Sequence, residues 1–265
     1  MEKIAFISDI HSNIVALKAV LKDIENRGIT RIFCLGDIVI KGSSPCKVLD
    51  LIKDKCEVVI KGNCDNYAVN PEYYPAHLKH YQWYHNILGE ERIKYLENLP
   101  MYKDMYISGS RVRMFHATKN DLDYRIFDTS DAEEKMKLFE DENNDVPDIV
   151  IYADIHKQYM QKILNKTIIN IGSVGNEIEI SFPNDYNEDM SEITQAHYCI
   201  IEGDINSKER SPLSIQFVRV PYDVQKEEVS QVGYFKKEEF CEMVDKKDDR
   251  LTDTPILFKN VIKSL

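Results

Sequence analysis

No apolar run in the 265-residue chain is long enough to cross a membrane. The most apolar stretch, Ile32 to Ile40, is broken by Asp37. A basic excess is also missing. Lys and Arg number 34 against 45 Asp and Glu, for a formal net charge of −11 and a sequence pI near 5.2. That balance excludes stable binding along a nucleic-acid backbone, which needs a basic face. It leaves room for a small phosphate-ester or nucleotide substrate, because bound cations reverse the local field. The six cysteines, Cys34, Cys46, Cys56, Cys64, Cys199 and Cys241, form no C-x-x-C pair. Reduced thiols in a cytoplasmic protein are therefore expected. Met1-Glu2-Lys3 runs directly into a strand pattern, so no cleaved leader is expected. The first turn lacks G-x-G-x-x-G, which removes dinucleotide binding of the usual kind. Repeats, low-complexity tracts and interdomain linkers are absent too, so residues 1–265 are read as a single domain.

What is present begins as alternating strand and helix. Lys3 to Ser8 is a short β-branched strand. Asn13 to Arg27 carries Ile14, Leu17, Val20, Leu21 and Ile24 at helical spacing, and Gly28 ends it. Arg31 to Leu35 is a second strand. Pro45 to Asp54 is a helix with Pro45 in its first turn, and Glu57 to Lys61 is a third strand. This βαβαβ order predicts a parallel sheet with right-handed crossovers.

The segment 66–98 is rich in aromatic residues, among them Tyr67, Tyr73, Tyr74, Tyr81, Trp83, Tyr84 and Tyr95, and holds His77, His80 and His85. It is expected to form helices and loops over the carboxyl edge of the sheet. Two uses fit it: a surface helical insert with half-buried tyrosines, which is the plainer, or a lid that stacks a base. Tyr102 to Ile107 and Val112 to His116 predict a hairpin through Ser108-Gly109-Ser110. Asp131 to Glu140 predicts a helix and Asp148 to Tyr152 a strand. Gln158 to Leu164 and Thr167 to Ile171 flank a turn at Asn165-Lys166. Ala196 to Glu202 and Leu213 to Val220 add antiparallel strands. Phe182 to Gln195 is an acidic, exposed loop. Residues 245–265 form a charged stretch followed by an apolar end that docks on the body.

Ligand-type residues recur at strand ends. Asp9 and His11 leave the first strand in S-D-I-H-S-N, Gly36-Asp37 follows the second, and Gly62-Asn63-Cys64-Asp65 follows the third. His116 and His156 end later strands, with Asp154 in A-D-I-H. The carboxyl ends of parallel strands form a ligand crevice, and strands about 4.8 Å apart bring neighbouring ends to one site. Each motif alone is a common turn or a structural histidine; the ordered set is the specific signal.

That set, with N-I-G-S-V-G at Asn170 to Gly175, resembles the calcineurin-like metallophosphoesterase superfamily and its small bacterial and archaeal phosphodiesterase-like branch. The branch pattern N-P-G-S-V-G has Ile171 here for proline. The motifs cover about two thirds of the chain, Asp9 to Gly175. The resemblance implies a four-layer α/β/β/α sandwich of two mixed sheets, two divalent metal ions, and hydrolysis of a phosphodiester or phosphomonoester by a metal-bridging hydroxide. Asp9, His11 and His156 would hold one metal, and Asp37 would bridge. Asn63 and His116 would hold the second, with Asp154 where the family's G-H-x-H carries a histidine ligand. Such mixed donors fit Mn²⁺ first, with Fe, Zn²⁺ or Ni²⁺ as alternatives. Cys64 stands near the leaving group in place of a histidine and is a poorer proton donor than imidazolium. Asp65 would orient the site from behind. Ser12, Asn13 and Lys61 are polar candidates beside the substrate. Gly36 to Gly42 reads G-D-I-V-I-K-G, without the arginine of the superfamily's phosphoprotein phosphatases. The competing expectation is a protein-interaction scaffold with a degenerate site, which Asp154 and Cys64 keep open and the retained ligand residues oppose.

Overall fold

The computed structural model describes residues 1–141, 145–175 and 195–223. Two mixed five-stranded sheets face each other, flanked by helices. The first has the order β10-β9-β1-β2-β3, built from β1 (Glu2–Ile7), β2 (Arg31–Cys34), β3 (Val58–Val59), β9 (Gln195–Gly203) and β10 (Ser214–Pro221). The second has the order β4-β5-β6-β8-β7, from β4 (Tyr102–Ile107), β5 (Ser110–Phe115), β6 (Ile149–Tyr152), β7 (Gln158–Ile163) and β8 (Lys166–Ile171). β1, β2 and β3 are parallel, as the βαβαβ order requires. Helices α1 (Ile14–Asn26) and α2 (Pro45–Lys55) make the crossovers.

Period-two patterning sorts the core into layers. Ile4 and Phe6 of β1 face Ile149 and Ile151 of β6 in the cluster between the sheets. Ala5 and Ile7 point the other way, onto Leu17 and Val20 of α1 and Val48 and Leu49 of α2. Val150 and Tyr152 turn outward onto Phe139 and Ile126. β6, buried throughout, is accordingly apolar at every position.

Several boundaries differ from the sequence expectation. The hairpin turn is Ser108-Gly109 alone, both at positive φ (48° and 79°), so Ser110 already pairs with Ile107. The β7–β8 turn is Leu164-Asn165, which lets Lys166 pair with Ile163. β3 is shorter than expected because the Lys61 amide bonds to the Pro100 carbonyl, 2.9 Å away, instead of a sheet neighbour. The helix expected from Asp131 shortens to α5 (Ala132–Met136), capped by the Asp131 carboxylate on the Glu134 amide, and tightens into a 3₁₀ turn at Lys137–Phe139.

The aromatic segment forms α3 (Asn63–Val69), two short 3₁₀ turns and α4 (Leu78–Glu97), which breaks at Gly89. Tyr67, Tyr81 and Trp83 pack against the helical side of the core. The buried Tyr84 donates to the Gly42 carbonyl at 2.9 Å and ties α4 to the loop after β2. The five described cysteines carry no disulfide, and no described helix is long and apolar enough to cross a membrane. The acidic loop, except Gln195, and the 245–265 tail lie outside the described residues.

Because Ile151 is fully buried between the sheets, Ile151→Ala is expected to cost about 2–5 kcal/mol in urea unfolding. Leu164→Ala at the exposed hairpin tip is expected to cost less than about 0.5 kcal/mol.

Candidate metal centre

The strand ends converge as the sequence pattern requires. The amides of Asp9, His11 and Ser12 donate to the carbonyls of Gly36, Asp37 and Ile38 at 3.0, 3.0 and 2.9 Å, lacing the loop after β1 to the loop after β2. The amides of Val174 and Gly175 donate to Ser8 and Asp9 at 3.0 and 2.9 Å, and the Ser173 hydroxyl donates to the Asp9 carbonyl at 2.9 Å. This is the structural use of the N-I-G-S-V-G run: it clamps the loop after β1 from the second sheet. A side chain on Gly62 would collide with Asp37 Oδ1 at 2.2 Å, so only glycine lets these turns close.

The backbone is strained where the ligand-type residues sit. Asp9, His11, Asp37, Asp154 and His156 all have positive φ, between 48° and 64°. Ser12, Ile40 and Lys41 in the same loops also have positive φ, of 59°, 67° and 70°. Such conformations cost about 1–3 kcal/mol each and persist where the surroundings enforce them.

The side chains form two overlapping groups. His156 Nε2 lies 3.0 Å from Asp9 Oδ1 and 3.2 Å from His11 Nε2. His11 Nε2 lies 3.7 Å from both Asp9 Oδ1 and Asp37 Oδ2. On the other side, His116 Nε2 lies 3.4 Å from Asp37 Oδ1 and 3.1 Å from the Asn63 amide oxygen. Asp37 therefore stands between Asp9, His11 and His156 on one hand and Asn63 and His116 on the other. His116 Nδ1 bonds to the Leu35 carbonyl at 2.8 Å, which fixes the ring and leaves Nε2 to face the cluster.

These separations suit cations. Two donors about 2.1 Å from one metal lie roughly 3.0–3.4 Å apart. The Asn63 amide faces the Asp37 carboxylate oxygens at 3.0 and 3.2 Å; turned one way its nitrogen donates to them, turned the other its oxygen would join them around a cation. Asp9 Oδ1 is buried and makes no hydrogen bond of good geometry; its neighbours are the ring nitrogens of His156 and His11, at 3.0 and 3.7 Å. The donor set thus fits divalent ions of the hard-to-borderline class.

The electrostatics agree. Burial opposes ionisation of Asp37, but His116, followed by His11 and Lys41, holds its carboxyl well below the usual carboxylate range. Burial also opposes the charged form of His116, yet Asp37, with Asp9 and Asp154, raises it to about 10. Burial and the nearby Lys41 lower His11 well below the ordinary imidazole value. Burial, then Asp37, pushes the Cys64 thiol up. Burial and Asp37 raise Asp65 to about 7 against the opposing amides of Gly62 and Val39.

The remaining expected residues take different places. Cys64 donates its amide to Asp37 Oδ1 at 2.8 Å, and its sulfur falls in a group with His11 and Asp37. Asp65 sits beneath the cluster and accepts from the amides of Ile38, Val39 and Gly62 at 2.9, 3.2 and 3.0 Å, so it ties the two glycine turns together. Asn13 caps α1 through the Ala16 amide at 2.9 Å. Lys61 turns away to the Glu97 carbonyl at 2.8 Å and leaves the site, satisfying the end of α4 instead. Asp154 reaches the second group, with Oδ1 3.8 Å from His116 Nε2. Both its oxygens are nevertheless held by Arg125, at 2.8 Å each. The expectation that Asp154 ligates the second metal thus meets a competing partner. Arg125 lies in an irregular loop and carries no motif. Tyr67 was equally silent in the sequence; its hydroxyl accepts from Asn63 Nδ2 at 3.1 Å and donates to Asp123.

Comparison with known proteins gives the class. The profile of the calcineurin-like phosphoesterase superfamily domain matches residues 2–183. The protein MJ0912 of Methanocaldococcus jannaschii is 31% identical over 233 residues, covering 84% of this chain and 89% of that protein. The chain belongs to the calcineurin-like phosphoesterase superfamily. Among solved structures, a metallophosphoesterase from Sphaerobacter thermophilus shares the fold with a TM-score of 0.62 at 22% identity, over 89% of this chain and 96% of its own. Hypothetical protein PH1004 from Pyrococcus horikoshii OT3 does so with a TM-score of 0.67 at 21% identity, over 90% and 96%.

A cation at His116 Nε2 must displace the proton that the raised pKa keeps there. Mn²⁺ binding is therefore expected to release about one proton near pH 7.5 through this ring, and to tighten as pH rises from 6 to 8. Calorimetry in buffers of different ionisation enthalpy measures the release; His116→Gln should reduce it.

Proposed function

We propose that the protein is a metal-dependent phosphohydrolase acting on a phosphodiester or phosphomonoester. The observation that carries this is Asp37, buried between two groups of neutral and anionic donors whose spacing suits two divalent ions. Asp9, His11 and His156 are assigned to one ion, Asn63 and His116 to the other, and Asp37 to both. When bound, two such ions, for which Mn²⁺ is the first choice, would supply Lewis acidity toward a phosphate and toward a water molecule.

The chain's own residues do the rest. Strained turns hold four of the donors, Asp9, His11, Asp37 and His156, in place before substrate arrives, which removes reorganisation from the reaction. Asp65 fixes the turns that carry Asp37 and Asn63. The Leu35 carbonyl keeps His116 in the orientation that presents Nε2. Cys64 lies against Asp37 with its thiol kept protonated by burial, so it shapes the site and is a weak acid for a leaving group. A small phosphate ester or nucleotide is the proposed substrate, since the acidic surface disfavours nucleic acid. Five unbridged cysteines favour the cytoplasm.

Purified protein loaded with Mn²⁺ is expected to hydrolyse an activated aryl phosphodiester or monoester. Asp37→Ala and His156→Ala should each lose at least about 100-fold in kcat/KM. If protein loaded with Mn²⁺, Ni²⁺ or Zn²⁺ hydrolyses neither ester, the scaffold alternative replaces this function.

A further inference from the structure

The Asp154–Arg125 pair is unusual in what each partner leaves unused. Asp154 is buried, its side chain 3% exposed, while that of Arg125 is 47% exposed. Nε and Nη2 of Arg125 donate to Oδ2 and Oδ1 of Asp154, a two-pronged fit at 2.8 Å each. Its other N–H groups have no acceptor among the described residues. The backbone around the pair is built to hold it. Asp154 has φ of 64°, and its amide donates to Asp9 Oδ2 at 3.3 Å. On the other side of the contact, the Ile126 carbonyl accepts from the buried Tyr152 hydroxyl at 2.8 Å, pinning the loop next to Arg125.

The position of the guanidinium follows from two distances. Nη2 is 2.8 Å from Asp154 Oδ1, and that oxygen is 3.8 Å from His116 Nε2. The cationic end of Arg125 therefore stands one carboxylate oxygen away from the donors assigned to the second ion. Asp37 and Asp9 lie close enough to add to the charge stabilisation of the guanidinium. The carboxylate is thus sealed in beside the second donor group, while the arginine side chain that holds it stays half exposed.

We propose that Arg125 binds a non-bridging oxygen of the substrate's phosphate, and that Asp154 is its positioning residue rather than a metal ligand. This deepens, and rests on, the phosphohydrolase function. Arginine suits the task because its planar fork can hold a carboxylate on one edge and a phosphate oxygen on another, which a lysine cannot do. It also supplies fixed positive charge beside the second ion, whose ligand set loses a residue when Asp154 turns to Arg125.

The test is phosphate binding, measured separately from turnover. Inorganic phosphate is titrated by calorimetry into Mn²⁺-loaded wild type, Arg125→Ala, Arg125→Lys and Arg125→Ala/Asp154→Asn, with Mn²⁺ per chain measured on each. The double variant removes the buried unpaired carboxylate that could unfold Arg125→Ala. Phosphate affinity is expected to fall about tenfold or more in Arg125→Ala and in the double variant, and less in Arg125→Lys. Mn²⁺ per chain should stay at the wild-type value in all of them. Wild-type phosphate affinity in Arg125→Ala, no phosphate binding to the wild type, or loss of one Mn²⁺ in the double variant would each overturn the proposal. If phosphate binding depends on Arg125 while no ester is hydrolysed, the phosphohydrolase function fails and Arg125 is left as a phosphate-binding residue without a substrate role. If esters are hydrolysed with unchanged KM in Arg125→Ala, the assignment fails and the function stands.

Discussion

The carboxylate of Asp37 is the contact on which the rest of the centre depends. It lies within 3.7 Å of His11 and 3.4 Å of His116, so both donor groups meet on it. Carboxylates packed this closely away from water need positive charge among them, which a protonated His116 supplies in part and divalent ions would supply more fully. The fold adds left-handed backbone at Asp9, His11, Asp37, Asp154 and His156. Strain of this kind has no benefit for folding and points to a ligand that repays it. Divalent cations meet the requirement in charge, donor chemistry and spacing.

The two sheets make this convergence possible. β1, β2 and β3 run parallel, so Asp9, Asp37 and Asn63 emerge at one edge. His116 and His156 come from the second sheet, packed face to face with the first through Ile4, Phe6, Ile149 and Ile151. His116 crosses to the first sheet through its bond to Leu35, and Ser173 clamps Asp9 from the opposite side. Inter-sheet packing and ligand geometry are thus one construction: a shift between the layers would separate the donors.

Much of this was legible in the sequence. Hydrophobic periodicity fixed β1, α1, β2 and α2, and the motifs fell at strand ends, where a parallel sheet gathers its ligands. The unread parts depend on contacts between distant segments. Arg125 meets Asp154 across 29 positions, from a loop with no periodic pattern. Lys61, a candidate from its place beside Gly62, is drawn instead to a carbonyl at the end of α4, 36 positions away. The tight turns at Ser108-Gly109 and Leu164-Asn165 needed backbone angles that composition only hints at. The resemblance makes Asp154 a candidate ligand of the second metal because the family pattern puts a histidine there; that Arg125 also holds its carboxylate is visible only with the Arg125 loop folded against it.

Anomalous diffraction from Mn²⁺-soaked crystals of the wild-type protein tests the centre most directly. Two peaks per chain are expected. One should be bonded by Asp9, His11 and His156 and the other by Asn63 and His116, with Asp37 touching both. A single peak, or ions held away from Asp37, would contradict the two-ion assignment.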